Sequence, residues 1–565
     1  MGRITNKYLL DYIDLVEKCK VKSCPEQKQL IRLVKRVFKQ EDIYTDDELM
    51  DRYMALQRFF PYKLFPWEKF CFCLHMCTFC RDGTLRWPEL LIYVTRGAGK
   101  NGYLSFEDFA CASPVHGVRN YHISTYAAGE ENAKRSFDEL YDILESDKNR
   151  FKSAFRWNKQ EIQNYKTGSK ITFKTSNAET KDGGREGKIN FDEIHAYKDF
   201  KLYNVAKTGL GKKPFSRITY TSTQGFNRGG LLDTLLERSR KILSGDEEDD
   251  GLLPFMCELH SIEDVKNPDK WDECNPSLIY FPELRKQYKR ELKDYIANPG
   301  ANTSFPIKRC NFYVDPVDAI ARREDLEFIC EGEKAENLEI LRGSKAILGI
   351  DYAEVNDMLS VGLLIKKDNI YYWISHSWIC KQSRDFHGIK FNLEEAERNG
   401  ELTIVDEASI DGSDAVQWVI AMQKKLDLKI IAGGTDFAHM TNTREAVAQL
   451  GLKTERRRPQ NNMGKKQGIC YWNRTSNNAA ALPFIFKLIT DHKIYCGDNK
   501  TMLWCLGNVV KKETNNAMSL EKIEPRFRKT DAVLAMLAAF CVMVDFEEPQ
   551  VKKKVKLPHK RRKRS

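Results

Sequence analysis

Residues 89–101 read ELLIYVTRGAGKN, and the change of character at Thr95 decides the fold of the first half of the chain. Leu90–Val94 is a short, nearly unbroken apolar run, the composition of a strand covered on both faces. It gives way to TRGAGKN and then to a helical stretch. Strand, glycine-bearing loop and helix in that order form a phosphate-binding loop. Gly97 and Gly99, with Ala98 between them, let backbone N–H groups close around phosphate, and Lys100 is placed to neutralise the β and γ groups. The loop departs from its usual form in three places. Val94 takes the position of the first glycine, Arg96 adds a second cation, and Asn101 replaces the Ser or Thr whose hydroxyl normally holds Mg²⁺.

Outward from this loop the same grammar repeats. YHISTYAA, KITFKT, GKINF and FSRITYTST are strand candidates, with helices such as ENAKRSFDELYDILES between them. This alternation predicts a mainly parallel α/β sheet. GKINF ends in Asp192 and Glu193, an acid pair suited to ATP hydrolysis: one carboxylate for the metal, normally through water, and the next to activate the attacking water. SRITYTST ends in Thr221, Ser222 and Thr223, a polar triplet suited to sensing the γ-phosphate. The acidic run SGDEEDDG at 244–251 reads as a solvated loop or an excursion from the domain.

A charged stretch, ARREDLEFICEGEKAENLEILRGSK, marks the expected joint, and a second strand-rich region follows it. Three aspartates there sit at the ends of elements. Asp351 closes the strand AILGID, Asp436 closes KIIAGGTD, and Asp531 opens the apolar helix DAVLAMLAAFCVMV. Strand, strand and helix acids in this order predict a two-metal phosphodiesterase site, with oxygen ligands suited to Mg²⁺ or Mn²⁺. Asp411 and Asp414 read as helix-capping residues. RRRPQNNMGKKQGICYWN, with Tyr471 and Trp472, reads either as a loop gripping DNA phosphates or as a solvated loop.

These segments together carry a resemblance. RGAGKN, YAAGEENAK, DGGREGKINFDEIHAYKD, TSTQG and WDECNPSL resemble, in order, the large terminase subunits of tailed phages. The ending MLWCLGNVVKKETNNAMSLEKIEPRFRKTDAVLAMLAA is similar to the family's terminal segment. The resemblance implies a P-loop ATPase domain of the additional-strand type followed by a ribonuclease H-like nuclease domain. It implies ATP bound by Arg96, Gly97, Ala98, Gly99, Lys100, Asn101 and Asp192, with Glu193 as the base and Asp351, Asp436 and Asp531 as metal-binding catalytic residues. It further implies translocation of double-stranded DNA into a procapsid and cutting of concatemeric DNA. The implied partners are a small terminase subunit and a portal protein, with a homo-oligomeric ring when active, in the host cell cytoplasm. Asp357 matches a recurrent family acid near a second metal, and equally reads as a hairpin-turn residue. LFPWEKF resembles an adenine-recognition segment, with Trp67 present and Glu68 where Gln is expected. Asn101 and Glu68 keep open a portal-docking assembly protein with a degenerate ATPase site. A non-packaging ATPase-nuclease is the other alternative.

Composition bounds the rest. The 565 residues exceed one compact core, and the segments divide as a helical stretch 1–60, an ATPase domain 61–335, a nuclease domain 345–545 and a basic tail 550–565. No apolar run is long enough to span a membrane, and the amphipathic N-terminus lacks a signal-peptide pattern, so no membrane is expected. Net charge is +11, but the last fifteen residues hold nine Lys or Arg, leaving +2 for the body. Sixteen cysteines without a framework fit reduced thiols. Cys71, Cys73, Cys77 and Cys80 lie in the continuous apolar run CFCLHMCTFC, which reads as buried helix rather than zinc knuckles.

Overall fold

The computed structural model describes residues 4–175, 185–197, 201–226, 230–314, 318–330, 338–353, 357–407, 409–436, 440–456, 467–472, 475–514, 517–523 and 526–546. The basic tail and residues 457–466 of the basic loop lie outside them. The chain divides into two compact units, between residues 317 and 318.

The first unit is built on one sheet. A small ribbon, β1 (Ile43–Thr45) with β2 (Thr78–Cys80), precedes it. The sheet itself comprises β3 (Glu89–Tyr93), β4 (His122–Ala127), β5 (Phe155–Trp157), β6 (Ile162–Asn164), β7 (Lys170–Thr175), β8 (Glu186–Phe191), β9 (Arg217–Ser222) and β10 (Leu252–Met256). Its order is β10-β3-β9-β8-β4-β7-β6-β5. The first six are parallel, and β6 and β5 close the edge antiparallel. The expected strands therefore form, and β9 lies between the phosphate-loop strand and the acid strand. That inserted strand is the mark of the additional-strand architecture.

Two features differ from expectation, and one agrees with it. β10 follows the acidic run directly, which is not simply a solvated loop. The Asp249 side chain is 6% exposed and accepts from Arg86 and from Trp87 Nε1, both at 3.0 Å. The helices Lys7–Glu17 and Pro25–Gln40 place Leu9, Leu30 and Val34 in the same core as the sheet. The cysteine-rich run is a buried helix, Pro66–Cys77, as its composition predicts, with Cys71, Cys73 and Cys77 buried as free thiols.

In the second unit, β11 (Lys345–Asp351), β12 (Leu359–Lys367) and β13 (Ile370–Cys380) form an antiparallel meander. β14 (Leu402–Val405) joins β13 in parallel, and β15 (Lys429–Thr435) joins β11 in parallel on the other side. β16 (Lys453–Arg456) and β17 (Ile469–Trp472) extend the sheet, giving β14-β13-β12-β11-β15-β17-β16, and the short β18 (Ile494–Tyr495) pairs with β13. The antiparallel meander flanked by parallel strands is the ribonuclease H-like arrangement. A separate hairpin joins β19 (Val509–Thr514) to β20 (Ala517–Lys522). The final helix, Asp531–Phe546, packs on β11, β12 and β15.

The charged stretch expected as the joint belongs to this unit. Helix Arg323–Cys330 buries Leu326, Ile329 and Cys330 in the second core. Among the described residues, no helix is long and apolar enough to cross a membrane.

Candidate active sites

At the end of β3 the chain turns through Gly97 (φ 89°) and Gly99 (φ 109°), and helix Lys100–Ala112 begins with Gly99 as its N-cap. Both glycines sit in the left-handed region that other residues rarely adopt. A Cβ on Gly97 would lie 3.0 Å from Leu284 Cδ2, and one on Gly99 would lie 3.0 Å from Glu68 Oε1. Lys100 is buried, and its ammonium donates to the Val94 carbonyl at 3.2 Å and the Thr95 carbonyl at 3.5 Å. Burial pulls its pKa down, and the carboxylates of Glu193 and Asp192 oppose that shift. The loop is fastened from behind. Ser277 Oγ donates to the Ala98 carbonyl at 2.7 Å and accepts from Trp67 Nε1 at 2.8 Å, while Arg309 donates to the Arg96 carbonyl at 3.2 Å.

The acid pair follows β8 directly. Asp192 Oδ1 accepts from the Glu193 backbone N–H at 2.9 Å and from Thr221 Oγ1 at 2.5 Å, so β9 holds the acid that β8 delivers. Asp192 Oδ2 is buried without a hydrogen-bond partner. Burial, and then the neighbouring Glu193, push the Asp192 carboxyl up to about 6. Glu193 has a left-handed backbone (φ 49°), and its Oε2 lies 3.0 Å from His195 Nδ1 but off the line of a hydrogen bond. Burial raises its pKa, but His195, Lys100 and Lys308 together outweigh this and bring it to about 2.

A cavity of about 420 Å³ opens in front of the loop, lined among others by Tyr62, Phe65, Glu68, Lys100, Asn101 and Phe281. The predicted Arg96, Gly97, Gly99, Lys100 and Glu193 all border it. Trp67 does not. It is 1% exposed and stacks on Phe255 at 5.1 Å, so it buttresses the loop instead of meeting a base. The apolar rim comes from Phe65 and Phe281, the latter from a segment the sequence does not mark. Glu68 accepts from the Phe65 backbone N–H at 2.8 Å, and burial raises its pKa to about 8. This favours the neutral carboxyl, which offers one donor and one acceptor, as a Gln amide does.

In the second unit the aspartates meet through register. β11 and β15 pair in parallel with Ile350 opposite Thr435, so Asp351 and Asp436 follow as neighbours at the same sheet edge. The final helix reaches them because β11 carries Gly349. A Cβ there would lie 2.1 Å from the Ala535 carbonyl oxygen and 3.0 Å from Ala539 Cβ. From that contact Asp351 is two residues on along the strand and Asp531 four residues back along the helix, each step roughly 6 Å.

The electrostatics agree with this gathering. Burial pushes the Asp351 carboxyl well above the usual range, and Asp531, Asp436 and Asp357 push it further. Asp531 rises to about 7 through burial and then Asp357. Lys522, on β20, opposes both shifts, and Lys529 Nζ lies 2.9 Å from Asp357 Oδ1. Neither lysine was expected from the sequence, although Lys529 stands two residues before Asp531.

The remaining residues singled out have structural positions. Asp411 caps helix Gly412–Leu426, accepting from the Ser413 backbone N–H at 2.9 Å. Tyr471 and Trp472 are buried in β17 and are not part of an exposed DNA-gripping loop. Asn508, within the terminal segment that precedes the last aspartate, donates to the Lys529 carbonyl at 2.9 Å. Among the described residues, the one group of three or more acid, His or Cys ligand atoms within 4.8 Å of one another is Glu26, Glu258 and His260. Arg240 occupies both Glu258 oxygens there, so the group is an ion-pair network.

A family model described as the terminase large subunit, endonuclease domain, matches residues 246–547, over half of the chain. A second, the terminase large subunit, ATPase domain, matches residues 66–241. The chain belongs to the terminase large subunit family. The terminase large subunits of Lactococcus phages SK1 and p2 are each 22% identical to it, over 81% of this chain and 82% of theirs. The large terminase of bacteriophage HK97 shares its fold, with TM-score 0.50 and 17% identity over 88% of this chain and all of the other.

This terminase is therefore an ATPase and an endonuclease, and it acts in packaging and cutting DNA. The two domain families use a nucleotide and divalent metal. The donor sets fit both. Gly97, Gly99 and Lys100 border the first cavity, with the Asp192 carboxylate near enough to act on Lys100, and the second site gathers the carboxylates of Asp351, Asp436, Asp531 and Asp357, oxygen ligands suited to hard cations. The endonuclease match begins at residue 246, yet β10 completes the ATPase sheet of this terminase by pairing with β3.

Proposed function

We propose that Arg96, Gly97, Ala98, Gly99, Lys100, Asn101 and Asp192 hold ATP and its Mg²⁺, and that Glu193 is the general base of its hydrolysis. The observation that carries this assignment is the placement of Lys100 and Glu193 on the same cavity, with Asp192 braced behind them by Thr221. Loop N–H groups and Lys100 bind the phosphates, and Asp192 orients the cation. Glu193 takes the proton of the attacking water. Asn101 offers an amide oxygen in place of a hydroxyl.

In the second unit Asp351, Asp436 and Asp531 are proposed to hold Mg²⁺ or Mn²⁺ for endonucleolytic cutting, with Asp357 on its rim. Bound divalent ions would neutralise the scissile phosphate and polarise the water that attacks it. The chain's own contribution is to fix the carboxylates at one sheet edge and hold Lys522 and Lys529 beside them. The ATPase and nuclease domains, expected at 61–335 and 345–545, are assigned to the two units, with the helices of 1–60 joining the ATPase core and residues 318–335 going with the nuclease. The finer biological reading comes from the family: double-stranded DNA as substrate, a small subunit and a procapsid portal as partners, a homo-oligomeric ring, and the host cytoplasm. Titrating the full-length chain with the portal and small subunit, and following ATP turnover and DNA uptake, tests it. DNA uptake without either partner would refute the partner assignment.

A further inference from the structure

Lys308 belongs to a short π-helical segment, Phe305–Arg309, more than a hundred residues from the acid pair in sequence. Its ammonium nevertheless lies 2.7 Å from His195 Nε2 and donates to the Gln224 carbonyl at 2.9 Å. Its own carbonyl accepts from the Arg96 backbone N–H at 2.9 Å. One residue is thus tied to the phosphate loop, to the histidine after the acid pair and to the end of β9.

These contacts settle the state of His195. An ammonium has only donors, so Nε2 must accept and the ring proton must sit on Nδ1. Nδ1 then faces Ser222 Oγ at 3.2 Å and Glu193 Oε2 at 3.0 Å. Ser222 Oγ also accepts from the His195 backbone N–H at 3.2 Å and donates to the Thr223 carbonyl at 2.8 Å. The ring packs so closely that a Cβ on Gly225 would lie 2.7 Å from His195 Cβ, which accounts for the glycine of TSTQG.

We infer that Lys308 is a positioning residue for Glu193, acting through His195, so that ATP hydrolysis depends on where the segment Phe305–Arg309 lies. The ammonium fixes the imidazole tautomer and ring placement, with Nδ1–H donated to Ser222 Oγ, and the same edge of the ring packs 3.0 Å from Glu193 Oε2, so that the position of the ring limits where the carboxylate can lie. Because the same residue clasps Arg96, displacement of this segment loosens the base and the phosphate loop together. This inference rests on the proposal that Glu193 is the base.

The test is steady-state ATP hydrolysis by the full-length chain with DNA present. Lys308→Ala and His195→Ala are each expected to lower kcat roughly 10- to 100-fold, as small misplacements of a catalytic group do, with KM for ATP within about twofold. Lys308→Arg should recover most of the loss. The double variant should be no more than about twofold below the worse single variant, since one path carries both effects. A Lys308→Ala chain with parental kcat, a loss confined to KM, or effects that multiply in the double variant would overturn the inference. Should Lys308→Ala not fold, Lys308→Met, which keeps the stem and removes the charge, is read by the same criteria. Glu193→Gln separates the two layers. Parental turnover in that variant condemns the base assignment, whereas an inactive Glu193→Gln beside active Lys308→Ala and His195→Ala condemns only the relay.

Discussion

Glu193 occupies a left-handed backbone conformation, which costs a non-glycine residue roughly 1–3 kcal/mol. The cost is carried by the network around it, where Asp192 accepts from the Glu193 N–H and Ser222 braces His195. Replacing Glu193 with Gln keeps that geometry and removes only the proton acceptor. ATP turnover should therefore fall ~10²–10⁴-fold while nucleotide binding survives, as a fluorescent ADP analogue would report. Parental turnover would remove Glu193 from the chemistry. At the other site Asp436 is the most exposed of the three aspartates, directly beside Asp351 in register. Asp436→Asn retains shape and loses one charge, so plasmid nicking in Mg²⁺ or Mn²⁺ should drop by orders of magnitude. Nicking at the parental rate would show that the metal does not need it.

Among elements, the contact of β11 with the final helix sets the nuclease geometry. Gly349→Val would drive a side chain into the Ala535 carbonyl, and backbone cannot yield as a flexible side chain does. We expect a destabilisation of at least about 1–3 kcal/mol in the second unit, with loss of nicking. Unchanged melting and nicking would mean that the helix does not press on the strand as described. The buried helix Pro66–Cys77 carries a pH dependence of its own. Burial pulls His75 down to about 4, although Glu107 opposes the shift. The unfolded chain, with a pKa near 6.5, takes up this proton first. Stability from this residue is therefore intact above about pH 6.5 and falls as pH drops toward 4, by up to about 1.4 kcal/mol per unit. His75→Asn should be less stable at neutral pH but lose less on going to pH 5, as denaturant midpoints would show. An equal loss in both chains would assign the acid sensitivity elsewhere.

For the whole molecule, the two sets of acids lie in different units, so their losses should separate. Full-length Lys100→Ala should lose ATP turnover, and Asp351→Asn should lose nicking, each leaving the other activity within about twofold. DNA packaging should fail in Lys100→Ala. A collapse of nicking in Lys100→Ala, measured without nucleotide, would show that the second site depends on the first.

What the sequence determined by itself was whatever depends on neighbours along the chain. The phosphate loop, the acids at the ends of β8, β11 and β15, and the Asp531 helix start are local patterns, because strand ends and helix starts expose side chains and backbone donors in a fixed order. The capping role of Asp411 is local in the same sense. Lys188 and Asn190 are polar residues buried in the central strand β8, and the reason is tertiary. Lys188 donates to Asp108 at 2.6 Å, and Asn190 donates to the same carboxylate at 2.9 Å, so the acid strand is tied to the phosphate-loop helix. Only the fold decided that Trp67 turns inward, that Phe281 rims the nucleotide cavity, that Lys522 faces the nuclease aspartates, and that Lys308 reaches His195. In each case the partners are far apart in sequence and meet only through sheet order and helix packing, which local periodicity does not encode.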